Sequence, residues 1–152
     1  MERDNRSRFY RTNNRQGVEH IVISYTKGYN IKTKIIKGCH IPKGWGEEII
    51  IENNELYCGK ILIFKEGCKF SMHYHMDKDE TWWVEYGEFK YRWIDTETAD
   101  IHEEYLKEGD VVRQRPGQPH QLEAVTNGRI FEVSTHHDDK DSYRVVKGDS
   151  QQ

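Results

Sequence analysis

His73 and His75 stand two residues apart, with Glu80 five residues further on, in the stretch GCKFSMHYHMDKDETWWVEYG bounded by Gly67 and Gly87. A β-strand repeats every two residues, so both imidazoles project from one face. Two ring nitrogens with a carboxylate near them either bind a metal ion or repel and desolvate one another. A second stretch, GDVVRQRPGQPHQLE at 109–123, contributes His120. Pro116-Gly117 just before it suits the two central positions of a type II turn. Three imidazoles and one carboxylate form a good ligand set for one divalent first-row ion: manganese, iron(II), cobalt, nickel or zinc. Four protein ligands on an octahedral ion leave two positions for water or substrate. Spacing does not choose among these ions, because affinity at such a site follows the same metal order whatever the protein.

The elements that must hold these residues read as strands. HIVISYT (20–26), IKTKII (31–36), WGEEIIIE (45–52) and KILIF (60–64) are followed by KFSMHYH, TWWVEY, FKYRW, DVVRQ, HQLEAV and RIFEVS. Gly, Pro, Asn or Asp separate them. Many short strands at regular spacing indicate an all-β sandwich or barrel. WWVEY-GE-FKYRW predicts a hairpin with Gly87 first in a two-residue turn, pairing Tyr86 with Phe89, Glu85 with Lys90 and Trp83 with Arg92. One face then carries Glu80, Trp82, Val84, Tyr86, Phe89, Tyr91 and Trp93, and it is the inner one. Gln114 shares strand parity with Val112 and also points inward. A short helix within 95–105 is the one helical suggestion. Residues 1–18, with five arginines, read as a polar arm, 19–135 as the barrel and 136–152 as an acidic tail. His136, His137, Asp138 and Asp139 in that tail offer either a second metal site or a solvated loop.

A chain of 152 residues supports one ordinary domain. Its net charge of −3 gives no general electrostatic case for nucleic acid or an anionic membrane. No apolar run approaches the ~20 residues that span a bilayer, and MERDNRSRFYR has no apolar core of a secretory signal. Cys39, Cys58 and Cys68 are odd in number and make no CxxC pair, which fits free thiols in a reducing, cytoplasmic setting.

The two histidine-bearing stretches together resemble the paired motifs of the cupin superfamily, a single-domain jelly roll or double-stranded β-helix. Gly67, His73, His75, Glu80 and Gly87 match the first motif at every position. Gly109, Gly117 and His120 match the second in register, with Arg115 and Ala124 replacing its proline and asparagine. The resemblance covers about residues 45–135, with extra strands N-terminal to it, and implies the ligands His73, His75, Glu80 and His120.

Within the superfamily, several pieces are similar to the cupin domain of type II mannose-6-phosphate isomerases. Trp45-Gly46 falls on a WG before that domain, Trp82 on its E-x-W tryptophan, Lys60 on its strand lysine. Glu132-Val133 followed by Asp141 and Arg144 falls on its EV run, acidic loop and D-x-x-R. Two departures are plain. His73 replaces the family's Gln ligand, and Lys78 replaces an Arg, keeping the charge but losing the planar fork that clamps an anion. The resemblance implies a metal-dependent aldose–ketose isomerase or epimerase acting on a sugar or sugar phosphate. Lys60, Glu132 and Lys78 become its candidate catalytic groups, and Trp82, Tyr86, Tyr91 and Gln114 its substrate contacts. A structural salt bridge for Glu132, an outward-pointing Lys60 and plain core packing for the aromatics stay open beside these roles. So do an iron(II)-dependent oxygenase and a sugar-binding module without turnover. Exposed barrel edges suggest a homodimer.

Overall fold

The structure, a computed structural model, describes residues 35–151 in full and the backbone of two further segments, Arg8–Asn13 and Glu19–Ser24. The chain divides into two compact units, Met1–Ile36 and Lys37–Gln152. In the first, β1 (Arg8–Asn13) and β2 (Glu19–Ser24) pair antiparallel, with Arg8 opposite Ser24 and Asn13 opposite Glu19. The rest of the expected arm and residues 31–34 of the strand expected at 31–36 lie outside the described residues, and Ile35 and Ile36 are not in a strand.

The second unit is a sandwich of two antiparallel sheets. Its strands are β3 (Cys39–Lys43), β4 (Gly46–Asn53), β5 (Cys58–Phe64), β6 (Met72–Tyr74), β7 (Glu80–Tyr86), β8 (Phe89–Ile94) and β9 (Ile101–Leu106). They continue with β10 (Val111–Gln114), β11 (His120–Ala124), β12 (Gly128–Ser134) and β13 (Tyr143–Val146). One sheet runs β10-β7-β12-β5-β4-β3 and the other β13-β6-β11-β8-β9. This is the all-β jelly roll that the two motifs imply. The segment 95–105 contains a turn and then β9, an exposed edge strand, in place of a helix.

Period-two alternation builds the core. Leu62 and Phe64 on β5, Trp82 and Val84 on β7, Phe89 and Tyr91 on β8, Leu122 and Ala124 on β11 and Ile130 on β12 all point between the sheets. Trp45, the tryptophan of the WG pair, stacks on Phe64 at 4.4 Å. The three cysteines are free thiols.

The expected hairpin between β7 and β8 does not form. The two strands belong to opposite sheets: β7 pairs with β10 and β12, and β8 with β9 and β11. Gly87 (φ +93°) turns the chain across the corner, and a Cβ there would lie 2.6 Å from the Cα of Gly128. The expected cross-strand pairs are therefore replaced. Glu85 meets Arg129, and Arg92 meets Glu103, Gln121 and Glu123. Strand parity survives the change of partner, so Trp82, Val84, Phe89 and Tyr91 still face inward. Tyr86 does not, being 44% exposed. The β7–β12 register shifts between Arg129 and Ile130, and a bulge of this kind breaks the alternation just before Tyr86.

The expected tail is part of the sandwich. After a 3-10 turn at Asp139–Asp141, β13 pairs with β6, placing Tyr143 opposite Tyr74 and Arg144 opposite His73.

Candidate metal centre

His73 lies on β6 and His75 just after it, and His120 opens β11, where it is the cross-strand partner of His73. The turn before His120 forms as the sequence predicts. Gly117 has φ +82°, and Gln118 donates its backbone N–H to the carbonyl of Arg115 at 3.1 Å. The Gly117 N–H in turn reaches the carbonyl of His75 at 2.6 Å, tying the two motifs together. Glu80 opens β7 in the facing sheet, so the four side chains meet across the interior of the sandwich.

All three rings are oriented the same way. Nδ1 of His73 donates to the carbonyl of Ser71 (2.8 Å), that of His120 to the carbonyl of Gln118 (2.9 Å), and that of His75 to the carbonyl of Asp141. A carbonyl only accepts, so each Nδ1 carries the proton and each Nε2 keeps its lone pair. One ligand atom from each ring falls within 4.8 Å of the others. His120 Nε2 is buried without a hydrogen-bond partner, although Oε1 of Glu80 lies 2.9 Å away. Glu80 Oε2 lies 4.0 Å from His75 Nε2.

The electrostatics suit a cation. Burial pushes the His73 imidazole down to about 3, so it is neutral at ordinary pH. Burial likewise lowers His75. Burial alone would raise Glu80, but the Lys78 ammonium and the neighbouring histidines outweigh it and hold the carboxyl well below its usual range. Neutral imidazoles and an ionised carboxylate are the forms that ligate. The three histidines can hold one divalent metal ion; Glu80, the fourth ligand that the resemblance implies, lies beside His120 with its other oxygen bound by Lys78 and does not join that cluster.

The centre opens into a cavity of about 240 Å³. Phe70 and Trp82 wall it beside the rings: Phe70 meets His73 edge-on at 5.1 Å, and Trp82 meets His120 at 5.2 Å. Lys60, Lys78 and Glu132 also line it. Lys60 is 2% exposed and its Nζ sits 3.3 Å from Oε1 of Glu48. Lys78 Nζ donates to Glu80 and, at 2.6 Å, to Glu132. Lys60 and Glu132 are cross-strand partners on β5 and β12, and Glu132 is partnered on its other side by Trp82.

Of the expected substrate contacts, only Trp82 reaches this cavity. Tyr91 and Gln114 are buried against each other, the phenol donating to Gln114 Oε1 at 2.6 Å. They form core beneath Glu80, the cross-strand partner of Gln114. Tyr86 lies on the outside. Several lining residues escape the sequence reading: Lys43, Glu48, Ser142, Ser150 and His137. Glu48 points inward at 9% exposure, but the three consecutive isoleucines that follow it give β4 no alternation from which to read that direction. Nothing local marks the others, which reach the cavity only through the path of the C-terminal segment and the turn before Trp45. The acidic stretch at 136–139 forms no metal cluster among the described residues. His137 Nε2 instead donates to Asp139 Oδ1 at 3.1 Å, while His136 Nδ1 donates to the carbonyl of Asn54.

No family model matches the chain, and no curated protein matches it. Solved structures do. An R92A mutant of Bacillus subtilis oxalate decarboxylase superposes with a TM-score of 0.65 at 16% identity, covering 71% of this chain and 30% of that one. Staphylococcus aureus CapF, a capsular polysaccharide assembling protein, superposes with a TM-score of 0.63 at 19% identity, covering 74% and 33%. Another structure of the B. subtilis decarboxylase concerns its Mn(II) centres (TM-score 0.64, 16% identity, covering 71% and 30%). The chain spans about a third of the length of these proteins. The likeness establishes the cupin fold.

Proposed function

We propose that this cupin-fold chain is a metal-dependent enzyme of carbohydrate chemistry, moving a proton between adjacent carbons of a small sugar in an aldose–ketose isomerisation, or off and back onto one carbon in an epimerisation. The observation that carries the reading is the buried array of acids and bases beside the three histidines. Glu48, Lys60, Glu132 and Lys78 line the same cavity as His73 and His75. A cavity of about 240 Å³ favours a small molecule, being below the roughly 300–1,000 Å³ of drug-sized pockets. Its charged and hydroxyl lining suits a substrate rich in hydroxyl groups, and gives an oxygenase of apolar compounds no such fit. The polysaccharide-assembling neighbour lends the carbohydrate class some support.

A divalent ion held by His73, His75, His120 and Glu80 supplies a Lewis acid for a carbonyl or hydroxyl oxygen. The chain's own residues do the remainder. In the isomerisation Glu132 accepts a carbon-bound proton and returns it to the neighbouring carbon, while Lys60 gives a proton to the former carbonyl oxygen and takes one from the hydroxyl that becomes the new carbonyl. Lys60 donates a hydrogen bond to the oxygen that gains negative charge. Lys78 fixes the direction of Glu132 through its hydrogen bond to Oε1. Trp82 and Phe70 exclude water from the rings.

The test is a panel of free and phosphorylated aldoses and ketoses with the protein loaded with Mn, Fe, Co, Ni or Zn, followed by variants. Glu132→Gln should lower kcat by about 10²–10⁴ while leaving metal content at one ion per chain. Absence of isomerisation or epimerisation on every sugar with every metal would reject the reading, and oxygen uptake with iron(II) would replace it with the oxygenase.

A further inference from the structure

We infer that Asp141 is a positioning residue for the metal centre: it buckles the C-terminal segment onto the loop after His75, so that docking of that segment and binding of the metal reinforce each other. The inference rests on the metal-centre reading and names a regulator of that site.

His73 and His120 lean on carbonyls two residues before them, Ser71 and Gln118, so their rings are fixed by local strand geometry. His75 is different. Its Nδ1 donates to a carbonyl 66 residues downstream, that of Asp141. The orientation of this one ligand therefore depends on where a distant segment lies.

The Asp141 side chain fixes that position. Its Oδ1 accepts the backbone N–H of Met76 at 2.7 Å, and its Oδ2 accepts those of Asp77 and Lys78 at 3.1 and 3.0 Å. A single carboxylate thus gathers three successive amides of the loop that joins His75 to Glu80. Runs of backbone N–H groups form concave anion seats of this type. Asp141 also donates its own N–H to the carbonyl of Asp138 at 3.0 Å, closing the 3-10 turn that precedes β13.

Beyond the buckle, the same segment walls the cavity. β13 covers β6, and Ser142, Arg144 and Ser150 line the opening. The end of the segment fits closely. The Asp149 N–H reaches the Lys69 carbonyl at 3.0 Å, and a Cβ on Gly148 would come within 2.3 Å of the Phe70 backbone. If the segment detached, His75 would lose its carbonyl and the loop its anion together. Linkage then requires the converse: an ion that fixes His75 holds the segment down.

The experiment uses the full chain and two probes, Zn(II) and Mn(II), titrated in competition with a chelator. Asp141→Ala should weaken both affinities by roughly 10–100-fold, the range seen when partners of metal-ligating histidines are removed. Asp141→Asn, which keeps one acceptor oxygen, should fall between. Lys140→Ala, on the same turn but without a side-chain partner, should stay within twofold of wild type. Wild-type amides at 143–146 should exchange with solvent several-fold more slowly once metal is added. That measurement decides the matter even if Asp141→Ala does not fold. Affinity within twofold for Asp141→Ala, equal losses in Lys140→Ala, or metal-independent exchange at 143–146 would each overturn the inference. A wild type that takes up neither ion would overturn the metal-centre reading and this inference with it.

Discussion

Lys78 sits between two carboxylates almost without solvent: it is 4% exposed, with Glu80 2% and Glu132 4%. From sequence it is a weaker anion clamp than the arginine it replaces in the resembled family. In the structure its ammonium is committed to Glu80 and Glu132. Burial lowers its proton affinity, but those two charges more than restore it and raise the group above the ordinary lysine range. Removing one partner of a buried ion pair costs more than the pair contributes, because the remaining charge has no water to turn to. Lys78→Met should therefore destabilise the metal-free protein by about 3–5 kcal/mol, read from urea unfolding. Lys78→Met/Glu132→Gln should recover part of the loss, since only one unpaired carboxylate then remains.

At the scale of elements, the five-stranded sheet carries a charged ladder on its outer side. Arg92 on β8 donates to Glu103 on β9 and to Gln121 and Glu123 on β11. Partial burial raises the Glu123 carboxyl, but the Arg92 hydrogen bond outweighs it and the group ends below its usual 4.5. A depressed carboxylate stabilises the fold above the unfolded value and loses that contribution as pH falls through the folded one. Arg92→Met should lower stability at pH 7 by about 1 kcal/mol or less, because these groups are partly solvated. The gap between variant and wild type should close as pH falls below about 4.5. Unfolding curves at pH 7 and pH 3 check this, and a gap that widens in acid would contradict it. The same sheet shows how an element can be read well and paired wrongly. Alternation placed Phe89 and Tyr91 inward whichever strand lay beside them, whereas the neighbour of β8 depended on the corner at Gly87.

At the scale of the molecule, an apolar row crosses the outer face of the six-stranded sheet. Val111, Trp83, Phe131, Ile61 and Ile49 are successive cross-strand partners. Val111 is 64% and Trp83 43% exposed. Phe131, Ile61 and Ile49 are half-buried; exposed apolar patches can serve association, and we propose this row as the contact of the homodimer expected from sequence. The chain should run at about twice its 18.2 kDa mass in solution, and Trp83→Lys should shift it toward the monomer without altering metal uptake. Light scattering of both proteins tests this, and a monomeric wild type would reject it. Among the described residues no helix is long and apolar enough to cross a membrane.

The sequence by itself determined the strand content, the inward parity of the core and the identity of the three histidines with Glu80. Residue type and period two are local properties, and both motifs keep their spacing. It also identified Lys60, Glu132 and Trp82, which the structure brings to the cavity beside those ligands. The tertiary structure alone decided which strands are neighbours, that Tyr86 turns outward at a bulge, and that the Tyr91 phenol donates to Gln114 in the core. It also decided that the acidic end of the chain closes the cavity and steers His75. Those outcomes depend on contacts between segments up to 106 residues apart, such as Gly44 with Ser150, and no local pattern encodes which distant carbonyl or carboxylate will arrive.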